Sequence, residues 1–197
     1  WTFKNNGDWA GAPHAREAYG GRLDAREWGL LRAPRVDVYQ GFIFASLSEE
    51  GPGLKEFLGG AAWVLDSICG LHPGGLRVIG VPERTQVRGD WKSGAENFAG
   101  DAYHIDTLHF GNEQAEYLEG LRQNNDYANV LVLEHGHSFL CHAFTDWFGP
   151  FGEYSGYPEH LKQRFDLSGL DEVQRQFVKE TPASVGNIFP NLGFIRF

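Results

Sequence analysis

One stretch constrains this chain more than any other: Asn97-Phe98-Ala99-Gly100-Asp101-Ala102-Tyr103-His104-Ile105-Asp106-Thr107-Leu108-His109. It sets an amide, a carboxylate and two imidazoles among small and apolar neighbours. On a helix of about 3.6 residues per turn, Asn97, Asp101 and His104 fall along one stripe. A polar stripe beside Phe98, Ala99, Gly100 and Ala102 has to be solvated or satisfied by specific partners. His109 stands about 140° round a regular helix from His104. The two imidazoles converge only if the helix ends, widens into a π-bulge or turns between them, distortions that are common where residues are functional.

Two neutral imidazoles are good ligands for a first-row metal, and with one carboxylate and open positions they form the facial triad of non-haem Fe(II) oxygenases. The spacing Asp-x2-His-x4-His is short, so two ordinary histidines, one at a helix end, also fit it. The surrounding residues extend the motif. Trp91-Lys92, then Ala95-Glu96-Asn97-Phe98-Ala99-Gly100-Asp101-Ala102-Tyr103-His104, then His109 resemble the iron motif of Rieske non-haem iron ring-hydroxylating dioxygenases. The resemblance is to the large (alpha) subunit, in the naphthalene and polycyclic aromatic hydrocarbon group. It implies that His104 and His109 bind mononuclear Fe(II) and that Asp101 is the catalytic bridge to the Rieske cluster of a neighbouring subunit. Asn97, Phe98 and Ile105 would then line the substrate pocket. The family's third iron ligand, a carboxylate, is implied beyond Phe197. Asp106, between the two histidines, is the best substitute within the chain.

The resemblance further implies a terminal oxygenase that adds both atoms of O2 to an aromatic hydrocarbon, giving a cis-dihydrodiol. Electrons would pass from NADH through a reductase and a ferredoxin to a [2Fe-2S] Rieske cluster. A small beta subunit and a trimer of subunit pairs are implied in the same way.

Composition bears on partners and compartment. The chain has 197 residues, 14% of them aromatic, and a net charge of −9. An acidic surface argues against nucleic acid and against an anionic membrane as partner. No apolar run has the length of a membrane span, and the opening residues do not read as a signal peptide. The two cysteines, Cys69 and Cys141, make no disulfide framework and suit a reducing cytoplasm. They also fall short of the Cys-x-His and Cys-x2-His pairs that a Rieske cluster needs. The chain has no methionine, opens on Trp1 and stops on Phe197 inside an apolar run. It therefore reads as an internal fragment, with Trp1 matching the family's Trp just after the second cluster-ligand pair.

The order of elements predicts an α+β class. The resemblance sharpens this to a helix-grip curved antiparallel sheet around the iron site, preceded by the end of a Rieske β domain. Residues 1–50 are expected to be the remnant of the Rieske domain and residues 51–197 a partial catalytic domain. Trp1 to Asp8 reads as strand, Asn6-Gly7 turn and strand, and Gly11 to Leu31 as loop with one short helix. Val36 to Leu47 reads as a hairpin and Glu49 to Gly53 as a linker. Leu54 to Ser67 has the apolar spacing of one helix. Leu76 to Gly89 is strand-rich, the iron helix starts near Trp91, and Asn129–Leu133 and His137–Ala143 are strands. Asp146 to Tyr157 is loop, Leu170 to Glu180 helix, and the final stretch strand.

Other groups compete for a role. His135 and His137, with Cys141 and His142, fit a second metal site, because residues i and i+2 share a strand face. Gly136 instead suggests a turn with locally bonded histidines. Glu96 points about 100° away from Asn97 on a helix and reads as a solvated carboxylate. Cys69 suits a buried small hydrophobe. Ala183, Ser184 and Val185 face either the pocket or the core by strand alternation. Two rival functions stay open: a zinc hydrolase using His104, His109 and His135 or His137, and a non-catalytic helix-grip module that binds apolar ligands.

Overall fold

The computed structural model describes residues 1–101, 104, 108, 129–141, 154, 157–180 and 184–196. Two compact units divide between Pro52 and Gly53. In the first, β1 (Thr2–Phe3) and β2 (Trp9–Gly11) pair antiparallel. Asn6-Gly7 turns the chain between them: the Asn6 side-chain oxygen accepts from the Asp8 amide at 3.1 Å, and Gly7 sits at φ 90°. Trp1 packs on Trp28 at 5.1 Å and on Trp9 at 5.8 Å, so the unit is built on aromatic contacts. Helix α1 (Ala15–Tyr19) is the one short helix of the loop. The hairpin β3 (Arg35–Tyr39) and β4 (Phe42–Ser46) turns at Gln40-Gly41, both with positive φ, as the twist of a tight hairpin demands. Arg35 donates to the Glu50 carbonyl at 2.8 Å and to the Pro52 carbonyl, which ties the linker to β3.

The second unit holds α2 (Leu54–Leu58), α3 (Gly60–Cys69), α4 (Trp91–Gly100), α5 (Glu159–Lys162) and α6 (Glu172–Glu180). Its sheet comprises β5 (Asn129–Val132), β6 (Ser138–Cys141), β7 (Ser184–Ile188) and β8 (Leu192–Arg196). These strands run antiparallel in the order β5-β6-β7-β8. The α+β expectation holds.

The sheet's two faces carry different layers. Phe139 and Cys141 of β6 join Val64 of α3, Leu170, and Phe177 and Val178 of α6 in the buried core. Strand alternation then turns Ser138 and Leu140 to the opposite face, where α4 lies. Two rows cross that face by register: Val132, Ser138, Asn187 and Gly193, then Val130, Leu140, Val185 and Ile195. The Phe98 ring sits over Gly193, within 3.0 Å of where a Cβ would stand, and Gly100 sits over Val130. The sheet is therefore gripped between α3 and α6 on one side and α4 on the other.

Four local expectations change. The single helix predicted over Leu54–Ser67 is two, broken at Gly59 (φ 48°, ψ −127°), where a side chain would meet the Glu134 carboxylate at 2.9 Å. Leu76 to Gly89 forms no strand and joins none of the three sheets; Val78, Ile79 and Val81 are exposed. A strand-like sequence pairs only where a neighbouring ladder is offered. The final stretch is two strands rather than one, because Pro190 cannot donate to a ladder and the chain turns there. The last helix begins at Glu172, after Asp171, whose carboxylate accepts from the Gln174 amide at 2.8 Å while the Gln174 side chain accepts from the Asp171 amide at 3.1 Å. That reciprocal pair is a capping box.

Candidate metal centre

Helix α4 starts where Asp90 accepts from the Lys92 amide at 2.9 Å, an N-cap that satisfies one of the first turn's unpaired donors. Trp91, Ala95 and Phe98 then recur at i, i+4 and i+7. Ala95 and Phe98 are half-buried, while Asn97 and Glu96 are exposed. The helix ends at Gly100. Asn97, Asp101 and His104 therefore do not share one continuous helical stripe, which corrects the simplest reading of their spacing. At Gly100 the backbone leaves helical values (φ 157°), and α4 lies so close to β5 there that a Cβ would stand 2.8 Å from the Val130 Cγ1.

Beyond Gly100 the chain turns. The His104 amide donates to the Asp101 carboxylate at 3.3 Å, and Leu108 donates to the His104 carbonyl at 2.7 Å, so a helical hydrogen bond begins anew at His104. The His104 ring folds back over this turn. Its Nδ1 contacts the Asp101 backbone carbonyl and lies 3.4 Å from the Asp101 carboxylate. A carbonyl oxygen can only accept, so Nδ1 is the donor, and in the neutral ring the lone pair then falls on Nε2. This is the tautomer and the anchoring that metal-binding histidines adopt. Asp101 and His104 are both half-buried. His109, Ile105 and Asp106 lie outside the described residues, as do His142 and Ala183. Among the described residues, no cluster of three metal-binding side chains forms.

The second histidine group is structural. His135 lies in the turn Glu134–Gly136 with φ 57° and stacks on Phe57 at 5.2 Å. His137 is fully buried. Its Nε2 donates to the Phe57 carbonyl at 2.9 Å, and its Nδ1 accepts from the Phe189 amide at 3.0 Å. Both ring nitrogens serve the backbone, so His137 has no lone pair to give a metal, which removes it from the zinc alternative. Burial holds its pKa below the ordinary imidazole value. Cys69 is buried, its thiol pushed up first by burial and then by Asp66, which suits an inert core residue. Val185 faces the α4 side and Ser184 the opposite one, by register.

Sequence reasoning missed the two hydrogen bonds of His137 and the Glu134 carboxylate that accepts from the Gly60 amide at 3.2 Å. These contacts span 80 and 74 positions, and no local pattern announces them. Sequence reasoning also missed the Asp90 cap, for which an acidic residue just before the helix was the available signal.

No family model matches the sequence. Over its whole length the chain is 48% identical to the N,N-dimethyl phenylurea N-demethylase subunit alpha of Sphingobium sp. (strain YBL2), of which it covers 43%. Over 55% of the chain it is 41% identical to the large oxygenase component of the naphthalene 1,2-dioxygenase system of Pseudomonas aeruginosa, covering 24% of that protein. The crystal structure of naphthalene 1,2-dioxygenase from Rhodococcus sp., bound to indole, superposes with a TM-score of 0.75 at 30% identity, over all of this chain and 44% of that one. The chain thus spans less than half the length of these relatives. Among the described residues, no helix is long and apolar enough to cross a membrane.

Proposed function

We propose that this chain, a homologue of part of the large (alpha) subunits of Rieske non-haem iron oxygenases, carries the iron-binding segment of a terminal aromatic-ring oxygenase. The observation that supports this most is the His104 ring, anchored through Nδ1 on Asp101 with its lone pair on Nε2. The donor set fits ferrous iron: imidazole nitrogen on a histidine held by its neighbour, with a second histidine, His109, five residues on. When bound, mononuclear Fe(II) supplies O2 activation.

The chain's own residues do the rest. The Asp101 carbonyl fixes the tautomer and orientation of His104, and the Asp101 carboxylate beside the same ring is the group proposed to reach a neighbouring subunit's [2Fe-2S] Rieske cluster. Phe98, held over Gly193, offers an aromatic wall, and Asn97 and Ile105 are proposed to line the pocket with it. Val130, Leu140, Val185 and Ile195 give the sheet's α4 side an apolar row. An apolar floor suits an aromatic substrate and keeps water from the reacting face.

Residues 1–50 would be the end of the Rieske domain and 51–197 part of the catalytic domain; the split between Pro52 and Gly53 supports this division. Both cysteines fall in the second unit, so the cluster's ligands would come from outside this sequence. The complete enzyme would work in the cytoplasm with a small beta subunit, as a trimer of subunit pairs. It would take electrons from NADH through a reductase and a ferredoxin. The phrase "system, large oxygenase component" in the relatives' names supports a multicomponent arrangement.

We read the reaction as cis-dihydroxylation of an aromatic hydrocarbon. A second reading, oxidative N-demethylation of an aryl urea, is favoured by the 48% identity to a phenylurea N-demethylase across the whole chain. The test is O2-dependent turnover by the complete subunit, reconstituted with its electron carriers, on naphthalene and on N,N-dimethyl phenylurea. Dihydrodiol formation supports the first reading and release of the methyl group the second. Turnover of neither, with zinc in place of iron, would sink both.

A further inference from the structure

His137 is fully buried, and its ring joins two segments far apart in the chain. Its Nε2–H bonds the Phe57 carbonyl in α2, and its Nδ1 takes the Phe189 N–H in the β7–β8 turn. The Phe57 ring meets it edge-on at 4.9 Å. The Phe189 ring lies against Gly136, 3.5 Å from where a Cβ would stand, and packs on Trp91 at 5.8 Å. Trp91 is the first residue of α4, the helix that ends just before Asp101 and His104.

We propose that His137 is a positioning residue for the iron site: it pins the β7–β8 turn to α2, and the Phe189–Trp91 contact passes that constraint to the start of α4. This rests on reading the turn after α4 as the iron-binding segment. Only a neutral ring can donate from one nitrogen and accept at the other. Protonation converts Nδ1 into a donor facing the Phe189 donor and leaves a charge in a buried site, so the clamp opens as pH falls. Its contribution is complete above the unfolded histidine value of about 6.5 and is lost as pH falls below that value and through the folded pKa, which burial holds lower.

The charged neighbours act in opposite senses. Glu134 favours the protonated ring and His135 opposes it. Helix α2 brings the Phe57 carbonyl and ring, while its Lys55 and Glu56 are exposed. The turn Phe189-Pro190-Asn191 has no ionisable side chain. At α4, Trp91 is followed by the exposed Lys92.

The test uses the complete, assembled subunit and measures hydrogen exchange at the Phe189 amide, corrected for the intrinsic pH dependence of exchange. In the wild type, protection should fall roughly tenfold between about pH 7.5 and about pH 5.5, the loss expected when one buried hydrogen bond goes. His137→Gln keeps a donor and an acceptor but cannot titrate, so its protection should not change with pH. His137→Ala should be unprotected at both pH values and bind mononuclear iron about tenfold more weakly, the usual scale for losing an outer support of a metal site. Wild-type pH dependence persisting in His137→Gln would overturn the clamp. Undiminished iron affinity in a folded His137→Ala would overturn its link to the metal, and should that variant fail to fold, wild type should lose more iron affinity than His137→Gln between about pH 7.5 and about pH 5.5, an equal loss overturning the link. Failure of the iron reading itself shows elsewhere, as iron retained by His104→Ala with the Phe189 exchange pattern intact.

Discussion

Gly100→Ala should disrupt the candidate site through a single methyl group. Its Cβ would stand 2.8 Å from the Val130 Cγ1 and 3.4 Å from the Cγ2, against an ordinary carbon contact of about 3.5 to 4.0 Å. Val130 lies on β5, so relief requires α4 to lift or the strand to shift. Overpacking of this kind costs about 1–3 kcal/mol. At about 2 kcal/mol, and about 2–4 °C per kcal/mol for a unit of this size, thermal unfolding should come about 4–8 °C earlier. Because the turn carrying Asp101 and His104 starts at this residue, bound iron should fall in parallel. Gly94→Ala is the internal control: it is the same change in the same helix, with nothing within 4 Å of the new Cβ. There the gain in helix propensity should stabilise by about 0.5–1 kcal/mol and leave iron unchanged. The assay is differential thermal unfolding and iron content of the two variants in the complete subunit. A Gly100→Ala protein as stable and iron-replete as wild type, or a Gly94→Ala protein equally damaged, would refute the packing argument.

Three further outcomes follow from particular contacts. Asp101→Asn keeps the backbone carbonyl that holds His104 Nδ1, so iron and a reducible cluster should survive while turnover drops roughly a hundredfold; the defect should read as slow oxidation of the reduced cluster by stopped-flow absorbance. Glu134 has its pKa lowered by hydrogen bonds from its own amide and from Gly60, so its stabilisation is present above the unfolded value of about 4.3 and is lost as pH falls through the folded pKa. The melting-temperature gap between wild type and Glu134→Gln should therefore close in acid, and a gap constant from neutral pH downward would contradict a stabilising Glu134–Gly60 hydrogen bond. Phe98→Ala removes the ring over Gly193 and should cost about 3 kcal/mol or less, since the ring is only half-buried, while product distribution on a bulky aromatic substrate shifts; unchanged products would remove Phe98 from the pocket.

The sequence made some features legible and hid others for physical reasons. Turn chemistry was local, so Asn6-Gly7 and the β3–β4 hairpin were readable from composition and alternation. Helix α4 was readable from the motif that begins at Trp91, but its end was not: at Gly100 the chain lies against a strand that arrives thirty positions later. The break at Gly59 likewise depends on Glu134. Leu76 to Gly89 shows the opposite error, a β-rich sequence with no ladder beside it among the described residues. The motif identified Asp101 and His104 as a pair, while the means of pairing, ring nitrogen to backbone carbonyl, needed the fold. His137 looked like a candidate ligand in sequence and proved to be committed to two backbone groups.

The central claim, that His104 and His109 hold mononuclear iron, is tested most directly by metal analysis of the complete subunit alongside its His104→Ala and His109→Ala variants, with the Rieske cluster followed separately by its visible absorption. Each variant is expected to lose the mononuclear iron and keep the cluster. Full mononuclear iron in either variant, or zinc in the wild-type site, would contradict it.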